Sequence, residues 1–285
     1  MEFYLSGLGN MYGDLDHIKE AIVEADRLGF DGALMPDHYM WGPMGGHTRS
    51  DGYSTLETWV TLTYLAAKTE NISLGTLVTP IPFRSPGMLA KMISTLDVLS
   101  NGRVVLGVGA GWSQVEFEGY SEWDGPGVRV NKTREGLDLM IKLWTEDEVT
   151  FKGKYYEAKG AVLKPKPVQK PYPRLLFGGT GNRMLGLAGK YGDICYIPMW
   201  MTGGNIEEAR AKVMDTAKRA NREDKVAFMA GVMGARGPVD MGEYSKMVEA
   251  AQESGARYYM VAFPRGEGFL DSLKGFAKEV MPSYK

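Results

Sequence analysis

Asn101-Gly102-Arg103-Val104-Val105-Leu106-Gly107-Val108-Gly109-Ala110-Gly111-Trp112 places a turn signal ahead of a β-branched apolar run, then glycine at alternate positions 107, 109 and 111. The apolar run predicts a buried strand. The alternate glycines predict a strand end cleared of side chains, where a flat or phosphorylated ligand can approach the backbone. A buried strand running into a plain flexible turn reads the same way, so the other strand ends in the chain decide between the two.

Outward from this stretch the chain alternates between strand and helix signals. Upstream, strands are expected at 3–8, at Gly32-Ala33-Leu34-Met35-Pro36 and at Ser73-Leu74-Gly75-Thr76-Leu77-Val78. Asp14 is expected to cap a first helix carrying Leu15, Ile18, Ile22 and Ala25, with Gly29 ending it. Ser54 or Thr55 opens a second helix to about Thr69, and Ser85-Pro86 supplies an N-cap and a first-turn proline for a third. A helix with Val130, Leu137, Met140, Ile141 and Trp144 follows the Gly/Pro-rich link at 125–127. Residues 147–173 break the alternation: Val149-Thr150-Phe151, Gly153 and Tyr155-Tyr156 suggest a hairpin, and Lys164-Pro165-Lys166-Pro167-Val168-Gln169-Lys170-Pro171 an extended tether. They read as an insertion within one domain spanning 1–285, because neither half closes a sheet alone.

Strands resume at 174–177, 193–197, 226–232 and 257–263, with helices to Tyr191, from an Asn205 cap to Ala220, at about 242–253 and at about 269–280. Leu28-Gly29-Phe30-Asp31-Gly32, Ser254-Gly255-Ala256-Arg257-Tyr258 and Tyr191-Gly192-Asp193-Ile194 repeat one form: helix end, glycine, short link, buried strand. Eight such units with near-continuous apolar strands predict a (β/α)8 barrel rather than an open doubly wound sheet.

The totals narrow the function. With 33 basic and 35 acidic residues the formal net charge is −2, which gives no electrostatic case for nucleic acid or an anionic membrane. Cys195, in Ile194-Cys195-Tyr196-Ile197, reads as a buried packing thiol, and one cysteine excludes an intrachain disulfide. No basic-then-apolar leader and no long apolar run is read, so a soluble cytoplasmic protein is expected.

Barrels bind ligands at the C-terminal ends of their strands. Those ends carry Asp37-His38 with Trp41, Thr76-Leu77-Val78-Thr79-Pro80, Gly109-Ala110-Gly111-Trp112 with Glu116, Gly178-Gly179-Thr180-Gly181-Asn182, and Pro198-Met199-Trp200. Glycines, tryptophans and few charges suit a large aromatic ligand. The Gly178–Asn182 turn opens a helix, whose free N–H groups attract a phosphate. His38 is either a proton-exchanging imidazole or a residue bonding its own loop. Glu116 is either an acid facing the mouth or the partner of a basic residue. Arg129 and Arg134 are anion contacts or helix-surface charges, and His17 a solvated helix residue. Asp37, His38 and His47 make a thin metal set, so no metal is assigned. No Ser-nucleophile elbow, Walker loop or dinucleotide fingerprint is present.

These residues resemble the bacterial-luciferase-like superfamily of flavin-dependent monooxygenases and oxidoreductases using the deazaflavin coenzyme F420. The resemblance rests on Pro36-Asp37-His38, Leu74 to Pro80, Asn101 to Trp112 with Glu116-Phe117, and Pro165 to Gln169 ahead of Gly178-Gly179-Thr180-Gly181. It implies a barrel with a flavin-like ring pressed on a bulge in the third strand, with a non-proline cis peptide at Leu77-Val78. It implies that Thr76, Leu77, Val78, Ala110 and Gly111 line the ring, that Gly178 to Asn182 hold the phosphate, and that Asp37 and His38 sit at the reactive edge. His38 and Glu116 are then the catalytic candidates, and Trp41 and Trp112 the pocket walls. The sugar-phosphate dehydrogenase branch has a glutamate where this chain has Trp112, so that substrate is not carried over. The resemblance implies hydride transfer between F420 and a small organic substrate, in a homodimer. The alternatives are an FMN-dependent monooxygenase fed by a separate flavin reductase, and a non-catalytic flavin-binding barrel.

Overall fold

Eight parallel staves close into a barrel in the computed structural model, which describes residues 1–8, 15–40, 56–203, 205–235, 237, 240–264 and 266–285. In chain order the first half comprises β1 (Glu2–Leu5), α1 (Leu15–Arg27), β2 (Gly32–Met35), α2 (Thr58–Ala66), β3 (Ser73–Thr76), β4 (Thr79–Pro80), α3 (Pro86–Leu99), β5 (Val104–Gly109), α4 (Gln114–Tyr120) and α5 (Pro126–Thr145). A two-stranded antiparallel hairpin of β6 (Val149–Lys152) and β7 (Glu157–Ala161) follows, standing apart from the barrel sheet. The second half is β8 (Arg174–Gly178), α6 (Asn182–Tyr191), β9 (Ile194–Tyr196), α7 (Ile206–Arg219), β10 (Ala227–Gly231), α8 (Met241–Glu253), β11 (Tyr258–Val261) and α9 (Phe269–Gly275). The staves pair in the order β1-β2-β3-β5-β8-β9-β10-β11, with β4 prolonging β3 and β11 pairing back to β1.

Strand residues alternate between two cores, as a period of two requires. Tyr4, Leu34, Val105, Leu176, Ile194, Met229, Tyr258 and Met260 fill the barrel interior. Their neighbours Phe3, Leu5, Ala33, Val104, Leu106, Leu175, Phe177, Cys195, Tyr259 and Val261 pack outward against the helices. Both faces are therefore apolar, which is why the strands read as continuous hydrophobic runs. The Cys195 thiol is buried there, and burial pushes it up to about 12, as an inert packing group requires.

Several boundaries differ from expectation. The third stave does not run unbroken from Ser73 to Val78; it stops at Thr76 and resumes at Thr79. α2 starts at Thr58, with Glu57 accepting the Val60 N–H as its cap, while Ser54, Thr55 and the Asp14 cap lie outside the described residues. The hairpin's second strand is Glu157–Ala161 rather than Tyr155-Tyr156, because Glu135 on α5 accepts the N–H groups of Lys154, Tyr155 and Tyr156 and holds them as the turn. α4 was not anticipated. His17 is half-buried, edge-on to Phe269 at 4.8 Å, rather than solvated. Asn205 caps α7 as read, accepting from the Glu208 N–H. Among the described residues no helix is long and apolar enough to cross a membrane.

Candidate active site

The floor of the barrel mouth is set by the break in the third stave. Gly75 pairs with Val105 and Thr79 with Val108, so residues 76–78 stand opposite only 106–107. This is a bulge, which re-aims side chains at a strand end. The Leu77-Val78 peptide within it is cis. Leu77 joins the interior core and Val78 packs beside it. A Cβ on Gly109 would lie 2.5 Å from Val78 Cγ2, and one on Gly178 3.0 Å from Val78 Cγ1. A Cβ on Gly107 would lie 1.8 Å from the Thr76 carbonyl oxygen. The space opened by these glycines is thus taken by the bulge itself. The sequence expectation that they are cleared for ligand is corrected to that extent: they make room for the floor on which a ligand would rest. Gly111, with φ +80, has Phe117 and Pro80 packed against it, and its carbonyl accepts from Arg129 Nε at 3.3 Å. Ala110 beside it is half-exposed at the rim.

At the end of β2, His38 Nδ1 lies 2.7 Å from Glu116 Oε2. The other Glu116 oxygen accepts the N–H groups of Tyr39 at 2.7 Å and Met40 at 3.0 Å. Glu116 is 1% exposed. Burial alone would raise its carboxyl, but the bonds from His38, the Met40 N–H and Ser113 together hold it below the usual carboxylate value. Of the two readings from sequence, Glu116 pairs with a basic residue, and that residue is the imidazole at the mouth. The Trp112 ring stands edge-on to His38 at 5.7 Å and is 57% exposed. Glu116 reaches His38 because α4 follows β5 directly, with Phe117 packed inward beneath Phe83.

Asp37, next to His38, is buried, and its carboxylate is bonded within the protein. Arg84 Nη1 and Nη2 donate to its two oxygens at 2.7 and 2.9 Å, and Thr79 Oγ1 donates at 2.8 Å. Arg84 also donates to Glu57, and its guanidinium lies over the Tyr39 ring at 4.9 Å. Burial works against the Arg84 charge, but the Asp37 bonds outweigh it and raise the group above its ordinary value. Tyr39 is raised as well, by burial. Thr76 bonds Thr79 and Gly107, so Asp37 and Thr76 support the mouth from beneath. Arg84 and Glu57 were missed from sequence, and Thr79 was read only as part of the strand end; a lone arginine between the apolar Ile81-Pro82-Phe83 and the Ser85-Pro86 helix start was the available signal.

Gly178, Gly179, Thr180, Gly181 and Asn182 form the turn from β8 into α6. Gly181 is the N-cap residue and supplies no side chain to the free N–H groups. A Cβ at Gly179 or Gly181 would stand in open space. Lys212 donates to Asn182 Oδ1 at 2.9 Å, and Arg183 to Asn131 and the Gly127 carbonyl, so two cations flank this turn. Beyond β9, Met199 and Trp200 are exposed at 67% and 75%. Trp41 and His47 lie outside the described residues. Arg129 is buried across the Trp123 ring at 4.0 Å and steadies the Gly111 loop, whereas Arg134 is a surface charge 3.6 Å from Asp138. A separate groove of about 410 Å³ lies on the outer flank between the hairpin, α3 and α5.

The chain is 29% identical over 210 residues to an FMNH(2)-dependent dimethylsulfone monooxygenase of Pseudomonas putida, covering 73% of this chain and 54% of that protein. It is 33% identical over 213 residues to an F420-dependent glucose-6-phosphate dehydrogenase of Amycolatopsis mediterranei (strain U-32), covering 73% of this chain and 59% of that one. The chain therefore spans little more than half the length of these relatives. An F420-dependent secondary alcohol dehydrogenase, solved with an F420-acetone adduct, superposes over the full length of both chains with a TM-score of 0.83 at 22% identity, which establishes the shared fold. A model of luciferase-like monooxygenases matches residues 4–260, nearly the whole barrel. With the bulged third stave, the glycine-rich turn and that match together, this chain belongs to the luciferase-like monooxygenase family.

Proposed function

We propose that this mouth carries out two-electron hydride transfer between coenzyme F420 and a small organic substrate, with His38 moving the accompanying proton. The single observation that carries the reading is the 2.7 Å His38–Glu116 pair at the open end of the barrel. A buried carboxylate on Nδ1 fixes the imidazole's orientation at the mouth, where the ring would exchange a substrate proton. The residues fit the coenzyme: the cap-free, side-chain-free turn at Gly179 and Gly181 is a cradle for a phosphate, and Leu77 and Val78 make a flat apolar floor. When bound, the deazaflavin supplies the carbon that gives or accepts hydride. Trp112 and Ala110 shield the rim from water, and the exposed Met199 and Trp200 favour an uncharged substrate over a sugar phosphate.

A second reading is favoured by the similarity to the dimethylsulfone monooxygenase: reduced FMN in the same cradle, delivered by a separate reductase. Binding titrations of the purified protein with F420 and with FMN separate the two. F420 is expected to bind at least tenfold tighter, a difference of about 1.4 kcal/mol; the reverse order overturns the first reading in favour of the second. Substrate-dependent bleaching of the deazaflavin absorbance distinguishes an enzyme from a flavin holder. His38→Ala is expected to abolish that bleaching while F420 still binds.

A further inference from the structure

Arg84 takes no part in the chemistry proposed above, yet its guanidinium is bonded to two carboxylates near the mouth. Its fork grips both oxygens of Asp37 at the end of β2, and the same guanidinium donates to Glu57 at the start of α2. It therefore ties together the two ends of the connection that carries His38. Nearby contacts close the same junction. Thr58 Oγ1 donates to the Pro36 carbonyl at 2.9 Å, and Trp59 Nε1 donates to Thr79 Oγ1 at 3.2 Å, which itself donates to Asp37. Tyr39 is held between the guanidinium and Phe83, the two rings stacked at 4.8 Å.

His38 is flanked in sequence by Asp37 and Tyr39, and Arg84 holds both. Glu116 in turn holds the His38 ring and the Tyr39 and Met40 N–H groups. Two carboxylates thus bear on the His38 segment, Glu116 directly and Glu57 through Arg84. A buried ion pair is often no more stabilising than well-packed apolar groups of the same volume. What the planar fork adds is geometry: five donors in fixed directions, which an ammonium does not reproduce. We propose that Arg84 is a positioning residue, setting the placement of the His38 imidazole against Glu116 through Asp37 and Tyr39.

The rate arm of the test rests on the function proposed above; the spectroscopic arm does not. Arg84→Lys keeps the charge and loses the fork, and Glu57→Gln weakens one arm while leaving Asp37 gripped. In ligand-free protein, the Nδ1–H and ring-nitrogen NMR signals of His38, assigned by their loss in His38→Gln, are expected to shift in Arg84→Lys and to shift less in Glu57→Gln. With F420 and substrate, kcat of Arg84→Lys is expected to fall ten- to a hundredfold, on the order expected for a sub-ångström misplacement, with the coenzyme Kd changed less than about twofold. A folded Arg84→Lys protein with unaltered His38 signals overturns the proposal. Should Arg84→Lys not fold, unaltered His38 signals in Glu57→Gln overturn it instead. Shifted signals in a protein that binds no F420 support the role of Arg84 and overturn the coenzyme reading.

Discussion

Glu116 shows how one side chain can hold an imidazole and a stretch of backbone at once. Its two oxygens are divided between the imidazole and the backbone of the following residues, and its carboxyl sits below the ordinary value of 4.5. In the pH range below that value the folded protein binds fewer protons here than the unfolded chain. The stabilisation is thus fully present above the unfolded pKa and lost as pH falls through the folded one. Glu116→Gln keeps an oxygen for the two N–H groups but loses the charge that pairs with His38. Its melting temperature is expected to vary less than that of the wild type as pH falls below the ordinary carboxyl value of 4.5. If the proposed function holds, the rate of hydride transfer is expected to fall about a hundredfold, the low end of what a positioned proton-transfer group contributes. Calorimetry across pH and a rate assay check the two parts separately. The glycines divide in a similar way. A methyl at Gly107 would strike the Thr76 carbonyl, so Gly107→Ala is expected to destabilise by about 3 kcal/mol or more in urea unfolding. Gly181 has φ −63 and open space around it, so Gly181→Ala is expected to leave stability within about 0.5 kcal/mol.

At the scale of elements, the repeated helix-glycine-link-strand form has a physical cause. Asp31 accepts the N–H of Phe3 and Asp193 that of Leu175, so in two of the three copies the carboxylate in the link anchors the neighbouring strand. The Asn101-Gly102-Arg103 turn hides a comparable device. Arg103 donates to the carbonyls of Ala66, Thr69, Ile72 and Ser100 and to Thr69 Oγ1, which closes the C-terminal end of α2 against the start of β5. Arg103→Ala is expected to cost about 3 kcal/mol, since charged donors to buried carbonyls contribute about 1.5–3 kcal/mol each but losses within one network do not add. Its coenzyme affinity is expected to stay unchanged, because this junction lies at the end of the strands away from the mouth; urea unfolding and a binding titration decide. Such local devices explain what was readable in advance. Apolar strands, the Asn205 cap and the Ser85-Pro86 start are written in adjacent residues, although the Ser85 side chain makes no cap bond. Arg84 and Asp37 are 47 positions apart and His38 and Glu116 are 78 apart. No local spacing announces pairs of that kind; only the closed barrel brings them together. α4 escaped notice because seven residues offer too short a period to read.

For the whole molecule, closure by β11 pairing to β1 means that every strand end contributes to one mouth, so a ligand there contacts elements from both halves of the chain. A coenzyme resting on Leu77 and Val78 from the first half and on Gly178 to Asn182 from the second would bind only the closed barrel, and binding to the folded state alone raises stability. At a free concentration a hundred times its Kd, the gain is about 2.7 kcal/mol, which for a chain of this size corresponds to a melting shift of roughly 4 °C. F420 is expected to produce that shift in a thermal-unfolding series, and FMN at the same concentration a smaller one. Gly181→Ala supplies the internal control. Its melting temperature without ligand is expected to match the wild type, while a methyl in the cradle weakens the hold on the phosphate and shrinks the shift. A full shift in Gly181→Ala would place the phosphate elsewhere, and a larger shift with FMN than with F420 would transfer the mouth to the reduced-flavin reading.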